Sequence, residues 1–342
     1  MELSGHLLYI DITQICGIGC SFCMYADRHS LGAQLELSEQ GRHNLARLIN
    51  HPSVKRVSIS GEGEPLNNVA AFHAILGLSR GGVAFEFITS GFLPHDRLNR
   101  FYDKTEAILQ AHGDTCNIRL SSDSYHVEKI RHRPHGASLR RALAAAQGAL
   151  SFSFRSVDTD RAFTRGYLLR EAADCPGKPR IVEAGPLADQ LVVGDRTFAI
   201  DYKNHVHPGA EVATERLDLH AYIAAIEART GKRFTLGSLN PAPLHNGLDV
   251  TVKPDGAVAL YGIEYLALGN IHADSFSWEA LAGRVAGDPL LHRLHTTPFL
   301  DAIARIDDQD AVRALASTVN NPYWLVKEIA KHPGMMQQLA AK

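Results

Sequence analysis

The chain has no apolar run approaching the roughly 18 residues that a membrane-spanning helix needs. Its opening residues, Met1-Glu2-Leu3-Ser4-Gly5-His6, lack a charged stretch leading into an apolar one, so there is no secretion signal to read. A cytoplasmic protein is expected. An excess of charge is missing too: 35 Lys and Arg stand against 37 Asp and Glu, a net charge of -2. That balance offers no basic face for nucleic acid and no attraction to an anionic membrane. No internal repeat, low-complexity tract or obvious linker interrupts the 342 residues, which suffice for a large core. Cysteine is scarce, five in all, and none follows Cys175.

Three of those five are crowded into Cys16-Gly17-Ile18-Gly19-Cys20-Ser21-Phe22-Cys23, a C-x3-C-x2-C spacing a few residues after an apolar run. Three thiolates so close in sequence converge only if the chain loops around one point, and the two glycines permit that loop. Soft sulfur ligands meeting at a point imply a metal. Three ligands leave one position open, since a structural zinc and a four-iron cluster each want four. Zinc closed by His29 is one reading, and a disulfide set is disfavoured by the odd number.

Along the chain, residues 7–12, 54–60, 84–88, 117–120, 152–157 and 180–183 read as strands. Residues 38–49, 69–78, 96–111, 137–150 and 160–172 read as the helices between them. Such alternation implies an α/β fold with a parallel sheet whose right-handed crossovers wind it into a barrel or a doubly wound layer. In either, ligands bind at the C-terminal ends of strands. The polar clusters Ser60-Gly61-Glu62-Gly63-Glu64-Pro65, Thr89-Ser90-Gly91 and Ser121-Ser122-Asp123 fall there, the last leading to Ile130-Arg131-His132-Arg133-Pro134-His135-Gly136.

The cysteine segment resembles the cluster motif of the radical S-adenosylmethionine (SAM) enzymes, including the aromatic Phe22 before the third cysteine and Thr13 three residues before the first. The resemblance implies that Cys16, Cys20 and Cys23 bind one [4Fe-4S] cluster, with SAM on the open iron. Gly63-Glu64-Pro65 is similar to the family's Gly-Gly-Glu-Pro motif that takes the SAM amine, with Glu62 in place of the first glycine. Thr89-Ser90-Gly91 resembles its Thr-Asn-Gly. Ser121 and Arg131 match the positions that hold the SAM carboxylate and ribose, although His132 occupies a usual glycine. The implied cofactor-binding set is therefore Phe22, Gly63, Glu64, Ser90, Ser121 and Arg131, in a partial (β/α)6 barrel over residues 1–185.

Beyond residue 185 the rhythm changes. Residues 195–202 read as irregular strand and loop, His205-Val206-His207-Pro208-Gly209 as an exposed turn, and 218–229 as a helix. Strand, Pro254-Asp255-Gly256 turn and strand over 248–261 then lead to Leu268-Gly269-Asn270-Ile271 and a helix from Trp278. This resembles the SPASM or twitch extension, which carries auxiliary clusters. With no cysteine after Cys175, the hairpin is kept and the cluster lost, Tyr261 standing near the first missing ligand. An α+β extension over residues 186–342, helix-rich from Asp288, is expected to cover the barrel mouth.

The resemblance implies reductive cleavage of SAM to a 5'-deoxyadenosyl radical that takes hydrogen from a substrate, with a flavodoxin or ferredoxin as reductant. Tyr261, Glu264 and Tyr265 are candidates to touch substrate or move protons, and His126 to carry a proton. Cys116 and Cys175 read as buried small hydrophobes at the other end of the barrel. The cysteine strand begins close to the first residue, which leaves no room for a leader-peptide domain and favours a small-molecule substrate in specialised biosynthesis. Modification of a ribosomally made peptide is the alternative, and a non-catalytic SAM- or metal-binding regulator a third reading.

Overall fold

The computed structural model describes residues 5–145, 148–204, 217–237, 247–273 and 276–341. The elements run β1 (His6–Asp11), α1 (Glu39–Ile49), β2 (Val54–Ser60), α2 (Val69–Leu76), β3 (Ala84–Thr89), α3 (His95–His112), β4 (Thr115–Ser121), α4 (Ser124–Val127), α5 (His135–Ala144), β5 (Leu150–Val157), α6 (Arg161–Glu171), β6 (Arg180–Gly185), β7 (Ala188–Val193) and β8 (Arg196–Lys203). They continue as α7 (Leu219–Thr230), β9 (Asp249–Val252), β10 (Ala257–Leu260), β11 (Ile263–Asn270), α8 (Trp278–Gly287), α9 (Pro289–Thr296), α10 (Phe299–Ile303), α11 (Gln309–Thr318), α12 (Pro322–Ile329) and α13 (Pro333–Ala340). The protein is a mixed α/β fold with a parallel-dominated sheet. Among the described residues no helix is long and apolar enough to cross a membrane.

The chain divides into two compact units. One comprises Asp11–Gln34 and Ser58–His205, the other Met1–Ile10, Leu35–Val57 and Val206–Lys342. In the first, β3, β4, β5 and β8 are parallel neighbours. Their residues alternate sharply. Phe85 and Phe87, Ile118 and Leu120, Phe152 and Phe154, and Ile200 and Tyr202 are buried and share one face by register. The rings of Phe72 on α2 and Phe87 lie 4.2 Å apart, and Tyr102 on α3 reaches Ser138 on α5 at 3.0 Å. The intervening Glu86, Arg119, Arg155 and Asp201 share the opposite face.

The strand read at residues 180–183 exists, but it is not the next parallel strand. After α6 the chain turns at Cys175-Pro176-Gly177, with Gly177 at φ +95°, and β6 pairs antiparallel with β7. A tight Gly194-Asp195 turn, Gly194 at φ +58°, then returns the chain as β8, antiparallel to β7 and parallel to β5. The segment expected to be irregular is thus a regular strand in the place that β6 was assigned. The physical reason is burial. Phe198, Ile200 and Tyr202 alternate as buried residues, whereas β6 buries none of its residues.

In the second unit, β9 runs parallel to β1, and β10 and β11 continue antiparallel from it. The Pro254-Asp255-Gly256 turn forms as expected: Gly256 is at φ +79°, its N–H reaches the Lys253 carbonyl at 2.9 Å, and Asp255 accepts from the Ala257 N–H. Helix α1 is capped by Ser38, whose hydroxyl accepts from the Gly41 N–H. Asn44 on the same helix donates to the Ile271 and Ala273 carbonyls, and the Trp278 indole donates to the Leu48 carbonyl, which fixes α1 and α8.

Candidate functional site

The cysteines lie on a loop that leaves β1. Its two arms are held together where Gln14 N–H donates to the Ala33 carbonyl (2.7 Å) and Thr13 bridges Gln34. Gly19, at φ +69°, and a Cys23 N–H to Cys20 carbonyl turn fold the loop back on itself. All three thiols are free and half-buried. Burial raises the Cys16 thiol, opposed by the Ile18 backbone N–H and reinforced by Glu64, Cys20 and Cys23. Cys23 is likewise raised by burial and by Cys20, and lowered by the Tyr25 N–H and Lys203. The three sulfurs therefore lie close enough to influence one another.

His29 does not complete a zinc site in this arrangement. Its Nε2 lies 3.8 Å from Cys23 Sγ but also 3.0 Å from the Glu62 carbonyl, which only accepts. Nε2 therefore carries the hydrogen and is a donor rather than a metal ligand. Phe22 is buried, its ring 4.6 Å from Tyr125 and 5.5 Å from His126.

The loop after β2 is locked against the cysteine loop. Gly63 N–H donates to the Thr13 carbonyl and Glu64 N–H to the Ile15 carbonyl, both at 2.9 Å. A Cβ on Gly63 would stand 2.3 Å from the Ile15 oxygen, so only glycine allows this approach. Glu62, the departure from the family motif, is buried. It accepts from Gln14 Nε2 at 2.7 Å and is paired with Arg28. This clasp ties both arms of the cysteine loop to the end of β2. Replacing Glu62 with alanine is expected to speed iron loss to a chelator about 10-fold or more, the usual scale for supporting contacts of a metal site. Release as slow as in the wild type would contradict it.

Glu64 is also buried, but its carboxylate is already engaged. It accepts from Leu66 N–H (3.1 Å), the Thr89 hydroxyl, Ser90 N–H (2.9 Å) and the Ser90 hydroxyl (2.6 Å). A carboxylate has about four acceptor positions, so an ammonium would have to displace one of these donors. Ser90 thus lies with Glu64 as a partner. Ser121 ends β4, where its carbonyl receives His135 Nε2 at 3.1 Å. Arg131 is exposed.

His126, on α4, is paired with Asp123. Burial lowers its pKa, but the Asp123 charge, its 2.8 Å hydrogen bond to Nδ1 and the adjacent Cys20 outweigh this and raise it to about 10. It is a charged donor at neutral pH. Asp123 also caps α4 by accepting from the His126 N–H.

Sequence reasoning missed Lys203, the last residue of β8. Its ammonium lies 5.3 Å from the centre of the Phe22 ring and is coupled to Cys20, Cys23, Asp123 and Arg155. It also missed the polar face behind it, where Glu86 pairs with Arg119 at 2.8 Å and accepts from Ser58 at 2.9 Å.

The remaining candidates lie in the other unit. Tyr261 follows β10 and packs edge-on to Tyr9 (5.1 Å) and Tyr323 (5.3 Å). Glu264 on β11 is paired with Lys253 at 3.0 Å. The Tyr265 side chain and the turn at His205 and His207 lie outside the described residues. Cys116 and Cys175 are buried, as expected.

No protein-family model and no curated protein matches the chain. A solved structure does: His6-tagged anSMEcpe with bound AdoMet is similar with a TM-score of 0.50, at 16% identity over 81% of this chain and 80% of that one. The chain shares the fold of that structure. The native form, with bound AdoMet and the Cp18Cys peptide, superposes at a TM-score of 0.48, again at 16% identity over 81% and 80%.

Proposed function

We propose that the protein is a radical SAM enzyme built on a partial (β/α)6 barrel in which β8, not β6, supplies the sixth parallel strand. The observation that carries this reading is the donor set: three free, half-buried thiols on one loop, with Gly63 pressed against the same loop. Cys16, Cys20 and Cys23 would hold one [4Fe-4S] cluster and leave an iron open to SAM. Together the two supply one-electron cleavage of SAM and a hydrogen-abstracting 5'-deoxyadenosyl group.

The chain's own part is binding and exclusion of water. Gly63 keeps its backbone close, and Glu64 lends negative charge to the SAM ammonium once the Ser90 hydroxyl turns away. Phe22 closes one side of the cysteine loop with Tyr125 and His126. Ser121 and the polar inner face of β3, β4, β5 and β8 suit a polar small-molecule substrate better than an apolar one. Arg131 would close on SAM from an exposed position. The reductant would be a flavodoxin or ferredoxin.

The test is anaerobic reconstitution with iron and sulfide, then dithionite and SAM. Methionine and 5'-deoxyadenosine are expected in equal amounts. SAM that stays bound and intact under reduction would replace the enzyme reading with that of a regulator.

A further inference from the structure

Lys203 ends β8, and its backbone pairs in register with Val157 at the end of β5, so the strand delivers the side chain beside the cysteine loop. Its Nζ stands 5.3 Å from the Phe22 ring centre, one residue before Cys23. Two neighbouring cations are ion-paired. Arg28 is paired with Glu62, and His126 with Asp123. Lys203 is half-buried, and burial followed by the Arg155 charge lowers its pKa to about 8, against the attraction of Asp123, Cys23 and Cys20. It still carries its proton at neutral pH.

We propose that Lys203 is a charge-tuning residue that raises the reduction potential of the cluster held by Cys16, Cys20 and Cys23. The inference rests on the reading of that loop as a cluster site. A cluster gains one negative charge on reduction, and a nearby cation stabilises the reduced form more than the oxidised one. The effect is strong where the cation is partly withdrawn from water. Phe22 contributes by holding the ammonium over its ring face, where a cation is attracted.

The test compares the wild type with Lys203→Gln, Lys203→Met and Lys203→Arg, each reconstituted anaerobically and matched for iron content and melting temperature. The potential is read by redox titration without SAM, and SAM affinity is measured separately on the oxidised protein. Both neutral variants are expected to shift to lower potential, while Lys203→Arg stays near the wild type. Unchanged potentials in Lys203→Gln and Lys203→Met overturn the inference. So does an unchanged potential with weakened SAM binding, which would make Lys203 a SAM ligand instead. If Lys203→Arg shifts as far as the neutral variants, shape rather than charge matters and the proposal falls. A wild-type protein that takes up no cluster overturns the cluster reading itself, a result distinct from a loaded cluster indifferent to Lys203.

Discussion

Replacing Cys16, Cys20 or Cys23 singly with alanine is expected to abolish both the iron colour and the release of 5'-deoxyadenosine, while the chain still folds. Each thiol is half-exposed on a loop and contributes little to the core, so its loss costs the fold little. His29 is no replacement, because it presents to Cys23 the nitrogen that donates to the Glu62 carbonyl. Cys116→Ala and Cys175→Ala are the controls. Both thiols are buried, so these changes should lower stability by about 1 kcal/mol or more through lost packing and leave iron content alone. Iron quantification and SAM turnover on the five variants check this. A loop variant that keeps full iron and turnover would remove that cysteine from the site.

Acid should destabilise the protein well above the range where carboxylates titrate. His135, fully buried on α5, accepts from the Tyr167 hydroxyl through Nδ1 (2.8 Å) and donates through Nε2 to the Ser121 carbonyl. Burial holds it neutral and lowers its pKa to about 3. The Ser121 contact and Asp123 oppose this, and Arg133 and His126 reinforce it. In the unfolded chain it titrates near 6.5. Between these values the unfolded state binds more protons, so stability is complete above pH 6.5 and falls as pH drops toward 3. At pH 5 this group alone costs about 2 kcal/mol, a large part of ordinary domain stability. His73 on α2, lowered to about 4 by burial and by Lys104, acts in the same direction over pH 6.5 to 4. Urea denaturation of the wild type and His135→Gln at pH 7 and pH 5 checks the sign. The variant should start less stable and lose less between the two pH values. Equal losses would contradict the account.

What was legible is local. The close approach at Gly63 and the strand-end position of Ser121 are properties of short stretches, and the structure has both. The hairpin at Pro254-Asp255-Gly256 was legible for the same reason. What failed depended on distant partners. Nothing in residues 180–183 says that they pair with the strand after them. The decision lies in which strand buries a face, and Phe198, Ile200 and Tyr202 win that over β6.

The Thr89 and Ser90 donors that engage the Glu64 carboxylate were not legible beside it, because they come from the end of β3. Nor was the pairing of His126 with Asp123, which emerges only in the folded α4. One signal was present and unused. Phe85-Glu86-Phe87, Ile118-Arg119-Leu120 and Ile200-Asp201-Tyr202 alternate, whereas parallel strands covered on both faces run continuously apolar. That alternation predicts a sheet with one polar face. Followed to the end of β8, it leads to Lys203.

The central claim is a three-thiolate cluster with an iron open to SAM, and electron paramagnetic resonance of the reconstituted, dithionite-reduced protein with and without SAM tests it most directly. The account predicts four irons and four sulfides per chain, as the cluster type requires, and a reduced-cluster signal that changes when SAM is added. One tightly held zinc with no iron, or an iron signal that SAM leaves untouched, would contradict it.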